Sequence, residues 1–422
     1  MDVKLASLLV FLGAYLLFIF LPNRRALVAA GGAGLLILFR VMTPGEAFSA
    51  VNWNVMGIFV GTLAVADVFM VSRVPAFLAE EIVNRAKNTA WSLLLICVLT
   101  SFISAFVENV ATVLIVAPIA LSLARKLKID PINIMIAIAV ASNLQGTATL
   151  IGDPPSMLLG GYTGMNFGDF FFYQNRPSIF WAVEVGALFS FIVLYLFFRH
   201  YRGKAVLVRT EKVRSWWPTV MLVGLIVLLA GSSFIPNASP YTSGALCIFF
   251  GLVALVWGSW FNEASLIKGL KSLDWETTFF LTGVFILVGS VTQAGWIQSL
   301  SQYLASIVGQ NVLLAYCLLI VFSLAISAFV DNVPYLAAML PVASALSLNL
   351  GTNPALLLFA LLIGASLGGN ITPIGASANI VACSLAKKEG YPISFGQFFR
   401  LGFPFTITAV GTAAVFVWFI WR

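Results

Sequence analysis

Twice in this chain a carboxylate stands beside an amide in the middle of a long apolar run. Residues 104–110 read SAFVENV and hold Glu108 and Asn109, and residues 327–333 read SAFVDNV and hold Asp331 and Asn332. A charge in such a run is costly unless it faces a cavity or a partner. A carboxylate facing a cavity can load and release a proton, and beside amide and backbone oxygens it can hold a small cation.

Each copy is followed by a segment of a second kind. The first is SNLQGTATLIGDPPSM from Ser142, and the second is SLGGNITPIGASAN from Ser366. Gly, Thr, Asn and Pro crowd both, so a helix there must break. Unwound backbone at membrane depth is tolerated only where protein buries it or where it lines a cavity. Freed N–H and C=O groups then face a ligand, and half-helix dipoles add partial charge.

The expected substrate site therefore comprises Glu108, Asn109, Thr112, Asn143, Gly146, Thr147, Thr149 and Gly152 from the first half of the chain. From the second half come Asp331, Asn332, Gly369, Asn370, Thr372, Gly375, Ser377 and Asn379. Asp331 and Glu108 are the expected proton carriers, with Asp153 in reserve because its counterpart in the second break is Ala376. Asp67 and Glu184 lie in apolar spans and fit a proton path or a satisfied structural role equally well.

Composition sets what must position these groups. The 422 residues are 60% hydrophobic and only 9% charged, against about 25% charged in a soluble domain. Apolar runs of about 20 residues, the length that crosses a hydrocarbon core, recur along the chain. The reading is an all-α polytopic protein of the lipid bilayer. The first apolar run lacks a small-residue cleavage site and leads into another span, so it reads as a span and not as a signal peptide. The net charge of +7 reads as topology information and not as a nucleic-acid footprint. Four scattered cysteines and a single histidine argue against a structural metal. No nucleophile–base set or phosphate loop is visible, so neither an enzyme nor a cofactor is expected.

Spans are expected near 4–22, 26–42, 53–71, 131–161, 178–199, 216–235, 241–258, 275–294, 354–386 and 402–421. The regions 90–127 and 311–347 hold the carboxylate–amide pairs and could each be two full spans or one re-entrant hairpin; the reading takes hairpins with their turns near Asn109 and Asn332. Either way the chain returns to the same side, and 19 of the 23 basic residues fall on one side. The positive-inside rule makes that side cytoplasmic and places both termini outside the cell (cytoplasmic or inner) membrane.

The two halves align at an offset of 223: Pro118 with Pro341, Gly146 with Gly369, Thr149 with Thr372, Gly152 with Gly375. Upstream, Trp53 and Gly61 answer Trp275 and Gly283. Repeats of five crossings plus a hairpin are related by inversion, an architecture of secondary transporters. Residues 1–199 form the first repeat and 216–422 the second, joined by a basic cytoplasmic linker at 200–215. Scaffold elements are expected at about 1–88 and 216–310, and transport elements at about 89–199 and 311–422.

GTATLIGDPPSMLLGG from Gly146 and LGGNITPIGASANIVACSLAKKEGYPISFGQFFRLGFP from Leu367 resemble the signatures of the ion transporter superfamily. The branch is that of the ArsB and NhaD permeases and the melanosomal P protein. The resemblance implies an elevator-type carrier in which hairpins and broken helices move against a scaffold. It also leaves room for a homodimer and for a cytoplasmic arsenite-dependent ATPase as partner. Dicarboxylate carriers of the wider superfamily have Ser-Asn-Thr at the hairpin tips, where this chain has Glu108-Asn109-Val110 and Asp331-Asn332-Val333. A carboxylate repels a carboxylate substrate at close range.

The resemblance leaves three substrate classes: trivalent arsenite or antimonite, neutral at pH 7, exchanged for protons; sodium exchanged for protons; and an inorganic or organic anion. The reading leans to the metalloid. A channel is the competing class, and a bilayer recording would separate it from a carrier.

Overall fold

The computed structural model describes residues 2–21, 24–201, 203, 212–261 and 266–422. The expected linker at 200–215 lies largely outside the described residues. Among the described residues the first half carries ten α-helices: α1 (Val3–Phe20), α2 (Arg25–Leu38), α3 (Pro44–Ala50), α4 (Trp53–Val71), α5 (Val74–Arg85), α6 (Thr89–Ser104), α7 (Asn109–Leu127), α8 (Ile132–Gly146), α9 (Pro154–Thr163) and α10 (Ile179–Phe198). The second half carries ten more in the same order: α11 (Trp217–Ser232), α12 (Thr242–Phe261), α13 (Leu266–Ser272), α14 (Trp275–Gln293), α15 (Trp296–Val308), α16 (Val312–Ser327), α17 (Asn332–Asn349), α18 (Pro354–Gly368), α19 (Ser377–Lys388) and α20 (Phe395–Trp421). A two-stranded hairpin, β1 (Phe172–Tyr173) with β2 (Arg176–Pro177), precedes α10.

The protein is an all-helical polytopic membrane protein. Eight helices among the described residues are long and apolar enough to cross a bilayer, and α15 with α16 makes a ninth span if that pair, bent by 118°, is counted as one. Leu and Phe side chains on α1, α11, α12 and α20 stay exposed, which suits a lipid-facing surface. By contrast α8 and α18 are apolar around their whole circumference and almost wholly buried, as the central helices of a large bundle must be.

The helices expected to break within 131–161 and 354–386 do so, each region forming two helices, with a short 3-10 turn at Gly369–Ile371 inside the second break. The breaks fall at 147–153 and 369–376, within the Gly- and Thr-rich segments. One expectation needs correction: the sequence reading gave no helix to α5 or α15. Both are short and mix polar with apolar residues, α15 as WIQSLSQYLASIV, so neither gives the signal of a span.

The halves join through reciprocal crossings: α4 packs on α12, and α2 on α14. The first uses the spacing Gly57-xxx-Gly61, which brings helix backbones close. A Cβ on Gly61 would lie 2.2 Å from the carbonyl carbon of Cys247. The counterpart Gly283 meets Ala29 in the same way, with a Cβ there 2.5 Å from the Ala29 Cβ. Gly61→Ala is therefore expected to destabilise the protein by about 1–3 kcal/mol through overpacking, and thermal unfolding in detergent measures it. Gly34→Ala, where a Cβ would meet nothing within 4 Å, is the matched control with no expected loss.

Candidate functional site

The chain breaks between α6 and α7 at residues 105–108, and between α16 and α17 at 328–331. Each break ends in a carboxylate that caps the next helix. Glu108 Oε2 accepts the Ala111 N–H at 3.0 Å, and Asp331 Oδ1 accepts the Val333 N–H at 3.0 Å. The cap satisfies one of the donors that a helix start leaves free.

Around each tip runs the same set of bonds, shifted by 223 positions. Ser104 Oγ donates to Asn109 Oδ1 at 2.6 Å, and Ser327 Oγ bonds Asn332 Oδ1. Asn109 Nδ2 donates to Asn143 Oδ1 at 3.3 Å, while Asn332 Nδ2 donates to the Ser366 carbonyl at 3.1 Å. Thr149 Oγ1 bonds the Ala105 carbonyl, and Thr372 Oγ1 bonds the Ala328 carbonyl. Each threonine thus ties a broken helix to the tip beside it. The halves meet at Asn143, whose Nδ2 reaches Asn370 Oδ1 at 2.8 Å and Asn379 Oδ1 at 2.9 Å.

A cavity of about 500 Å³ lies between the tips. Six helices start on its wall: α7 with Asn109 and Val110, α9 with Pro154 and Pro155, α17 with Asn332 and Val333, α19 with Ser377 and Ala378, α2 with Arg25, and α14 with Glu276 and Thr277. Each helix N-terminus carries about half a positive charge, so together they contribute about three. Glu108, Asp153 and Asp331 line the same wall, as does Arg25. These three carboxylates, the guanidinium and the six helix ends sum to about one positive charge. Asp274 and Glu276, at the start of α14, add further negative charge.

Of the expected substrate residues, Glu108, Asn109, Asn143, Asp331, Asn332, Gly375 and Ser377 line this cavity, together with Asp153. Thr112, Gly146, Thr147, Thr149, Gly152, Gly369, Asn370, Thr372 and Asn379 are not on its wall. They stand behind it and hold the breaks in shape. Asn379 Nδ2, for example, donates to the carbonyls of Gly369 at 2.9 Å and Thr372 at 2.8 Å. Asp67 and Glu184 lie elsewhere, with Asp67 accepting from Ser272 Oγ at 3.3 Å and Glu184 from Gln145 Nε2 at 2.8 Å.

Sequence reasoning missed Arg25, Asp274 and Glu276. Arg25 reads as a topology residue, but its Nη1 forms an ion pair with Asp331 Oδ2. The breaks themselves contain no Lys or Arg, yet a cation reaches the second tip from α2. Asp274 reads as the N-cap it is. The signal available was its place beside Trp275, the counterpart of Trp53, where the first half has Asn52 instead.

The corresponding helices of the two halves pack differently near the cavity. In the first half α4 packs on α9, and Asn52 Nδ2 donates to the Gly161 carbonyl at 2.9 Å. In the second half α14 and α19 line the walls of the cavity instead, through Asp274, Thr277, Ser377 and Ala378.

The family model described as citrate transporter (CitMHS) matches residues 15–347 and 245–422. The uncharacterized transporter Rv2684 of Mycobacterium tuberculosis is 28% identical over 435 residues, covering 98% of both chains. The P protein of Mus musculus is 25% identical over 493 residues, which span 96% of this chain and 59% of that protein. Among solved structures, the Alcanivorax borkumensis YdaH transporter superposes with a TM-score of 0.64 at 17% identity, covering 98% of this chain and 97% of that one. That likeness concerns the fold.

Proposed function

Because the chain belongs to the CitMHS citrate-transporter family of the ion transporter superfamily, we propose that it is a secondary active carrier exchanging trivalent arsenite or antimonite for protons across the cell membrane. The observation that carries this reading is the acidic wall of the cavity, where five carboxylates outweigh one guanidinium and the helix ends. Glu108, Asp153 and Asp331 stand at the starts of α7, α9 and α17, helix ends that would otherwise attract an anion. A neutral solute with three hydroxyls suits amide, hydroxyl and backbone groups, and the carboxylates are free to exchange protons.

The carrier is built from two inverted repeats. The reciprocal packing of α2 with α14 and α4 with α12, and of α10 with α20, supports a pseudo-twofold relation between them. Helices α1–α5 and α11–α15 form the scaffold, and α6–α10 and α16–α20 move against it as an elevator. The unequal packing of α4 on α9 and of α14 beside α19 fits a carrier open on one side. By the basic-residue asymmetry that side is the cytoplasm, and both termini lie outside.

A second reading comes from the family's description. Free citrate would meet Glu108, Asp153, Asp274 and Glu276 as like charges, so it would have to enter with its charge masked by a bound cation. Purified protein in proteoliposomes separates the readings. With a proton gradient imposed, arsenite is expected to accumulate on the acidic side without sodium. Accumulation of citrate but not arsenite would replace the metalloid reading, and uptake driven by sodium alone would replace proton coupling.

A further inference from the structure

The two tips are capped alike but anchored differently. Glu108 caps α7 and forms no ion pair among the described residues; Asp153, Asp274 and Glu276 line the same cavity. Asp331 caps α17 and is also paired with Arg25 of α2. The pair is mostly removed from solvent, with side-chain exposures of 20% for Arg25 and 15% for Asp331. The Arg25 Nε is buried and has no hydrogen-bond partner, so the guanidinium depends on Asp331 for its compensation. Beside it, Tyr15 of α1 donates its hydroxyl to the Pro334 carbonyl at 2.6 Å. The second tip is therefore tied to α1 and α2 by one bond that depends on charge and one that does not. At the start of α12, the helix that answers α2, stands Thr242, so the repeat offers no second copy of the ion pair.

We propose that Arg25 and Asp331 form a charge-operated latch between α2 and the second tip. While Asp331 is ionised, the pair holds the tip against α1 and α2, and the cavity stays open on its present side. A proton taken up by Asp331 from the cavity removes the charge on the carboxylate. Arg25 is then left without a counter-ion on the tip, while Glu108, Asp153, Asp274 and Glu276 remain on the cavity wall. The tip separates from α2, and only the Tyr15 bond opposes its movement. An ion pair withdrawn from water is costly to break by removing one partner, and this cost ties movement to protonation. Arg25 is thus a positioning residue that acts through Asp331.

The latch rests on the carrier reading above but not on the identity of the solute, and the test needs none. Ser377→Cys on the cavity wall serves as reporter in full-length protein whose four native cysteines are replaced by serine. A membrane-impermeant maleimide is applied to either face separately, in intact cells and in inverted vesicles. The parent labels fast from the face on which the cavity opens and slowly from the other. Arg25→Gln and Asp331→Asn are each expected to raise the slow-face rate about tenfold, because that rate reads the minor state directly. The reversed pair, R25D with D331R, should bring the rate back toward the parent's. Single variants that label at the parent rate would overturn the latch, and so would a reversed pair that labels as fast as Arg25→Gln. If Arg25→Gln does not fold, Asp331→Asn and the reversed pair carry the same comparison. Loss of the latch alongside intact arsenite flux would leave the proposed function standing, whereas absent flux with a working latch would point to a different solute.

Discussion

Glu108→Gln is expected to cut proton-driven arsenite flux at least about tenfold while arsenite binding stays within about threefold. The substitution keeps the side chain's size and an acceptor oxygen but removes titration. The cap on α7 survives, since Oε1 of glutamine can still accept the Ala111 N–H that Glu108 accepts at 3.0 Å. What is lost is a carboxylate on the cavity wall that, unlike Asp331, forms no ion pair among the described residues. A neutral solute does not need that charge to bind, but an exchanged proton needs a base. Calorimetric binding run beside a vesicle flux assay checks both halves of the expectation. Asp153→Asn belongs in the same series, because Asp153 lies on the same wall.

The second large effect is expected where the breaks cross the tips. A Cβ on Gly152 would lie 2.6 Å from the Gly146 carbonyl oxygen and 3.0 Å from that of Ala105. On Gly375 it would lie 2.6 Å from the Gly369 oxygen and 2.9 Å from that of Ala328. These neighbours are backbone and cannot turn aside. Gly152→Ala and Gly375→Ala should each cost about 1–3 kcal/mol in overpacking and cut flux about tenfold by moving a tip. Because the geometry repeats across the halves, the two variants should resemble each other. Flux per folded protein, with folding followed by thermal unfolding in detergent, measures this. A Gly375→Ala protein with parental stability and flux would mean that the breaks tolerate more movement than the geometry allows.

The polytopic helical character was legible because lipid imposes long apolar helices, and the paired helix breaks because SAFVENV and SAFVDNV recur almost letter for letter. Gly61 and Gly283 were visible as counterparts, and both sit where helices of opposite halves touch. The site was legible only in part. Thr149, Thr372 and Asn379 carry the polar groups expected of ligand contacts, yet they turn toward backbone carbonyls that the breaks leave free. A polar residue in a broken helix can serve a ligand or an orphaned carbonyl, and its type alone does not say which. Arg25 and Asp274 were hidden for the opposite reason. Each has a sufficient local explanation, as a topology charge and as a helix cap, and only the fold carries them to a cavity beside the breaks before α7 and α17. Helices α5 and α15 escaped notice because short amphipathic helices lack the apolar length by which spans are recognised.

The central claim, that protons on cavity carboxylates are exchanged for a neutral metalloid, is tested most directly by recording pH inside proteoliposomes while only an arsenite gradient is imposed. With no starting pH difference and no sodium, arsenite entering the vesicle should drive protons out and make the lumen alkaline, and Glu108→Gln should abolish the signal. An unchanged lumen under an arsenite gradient, or a pH change that appears only with sodium or citrate, would contradict the account.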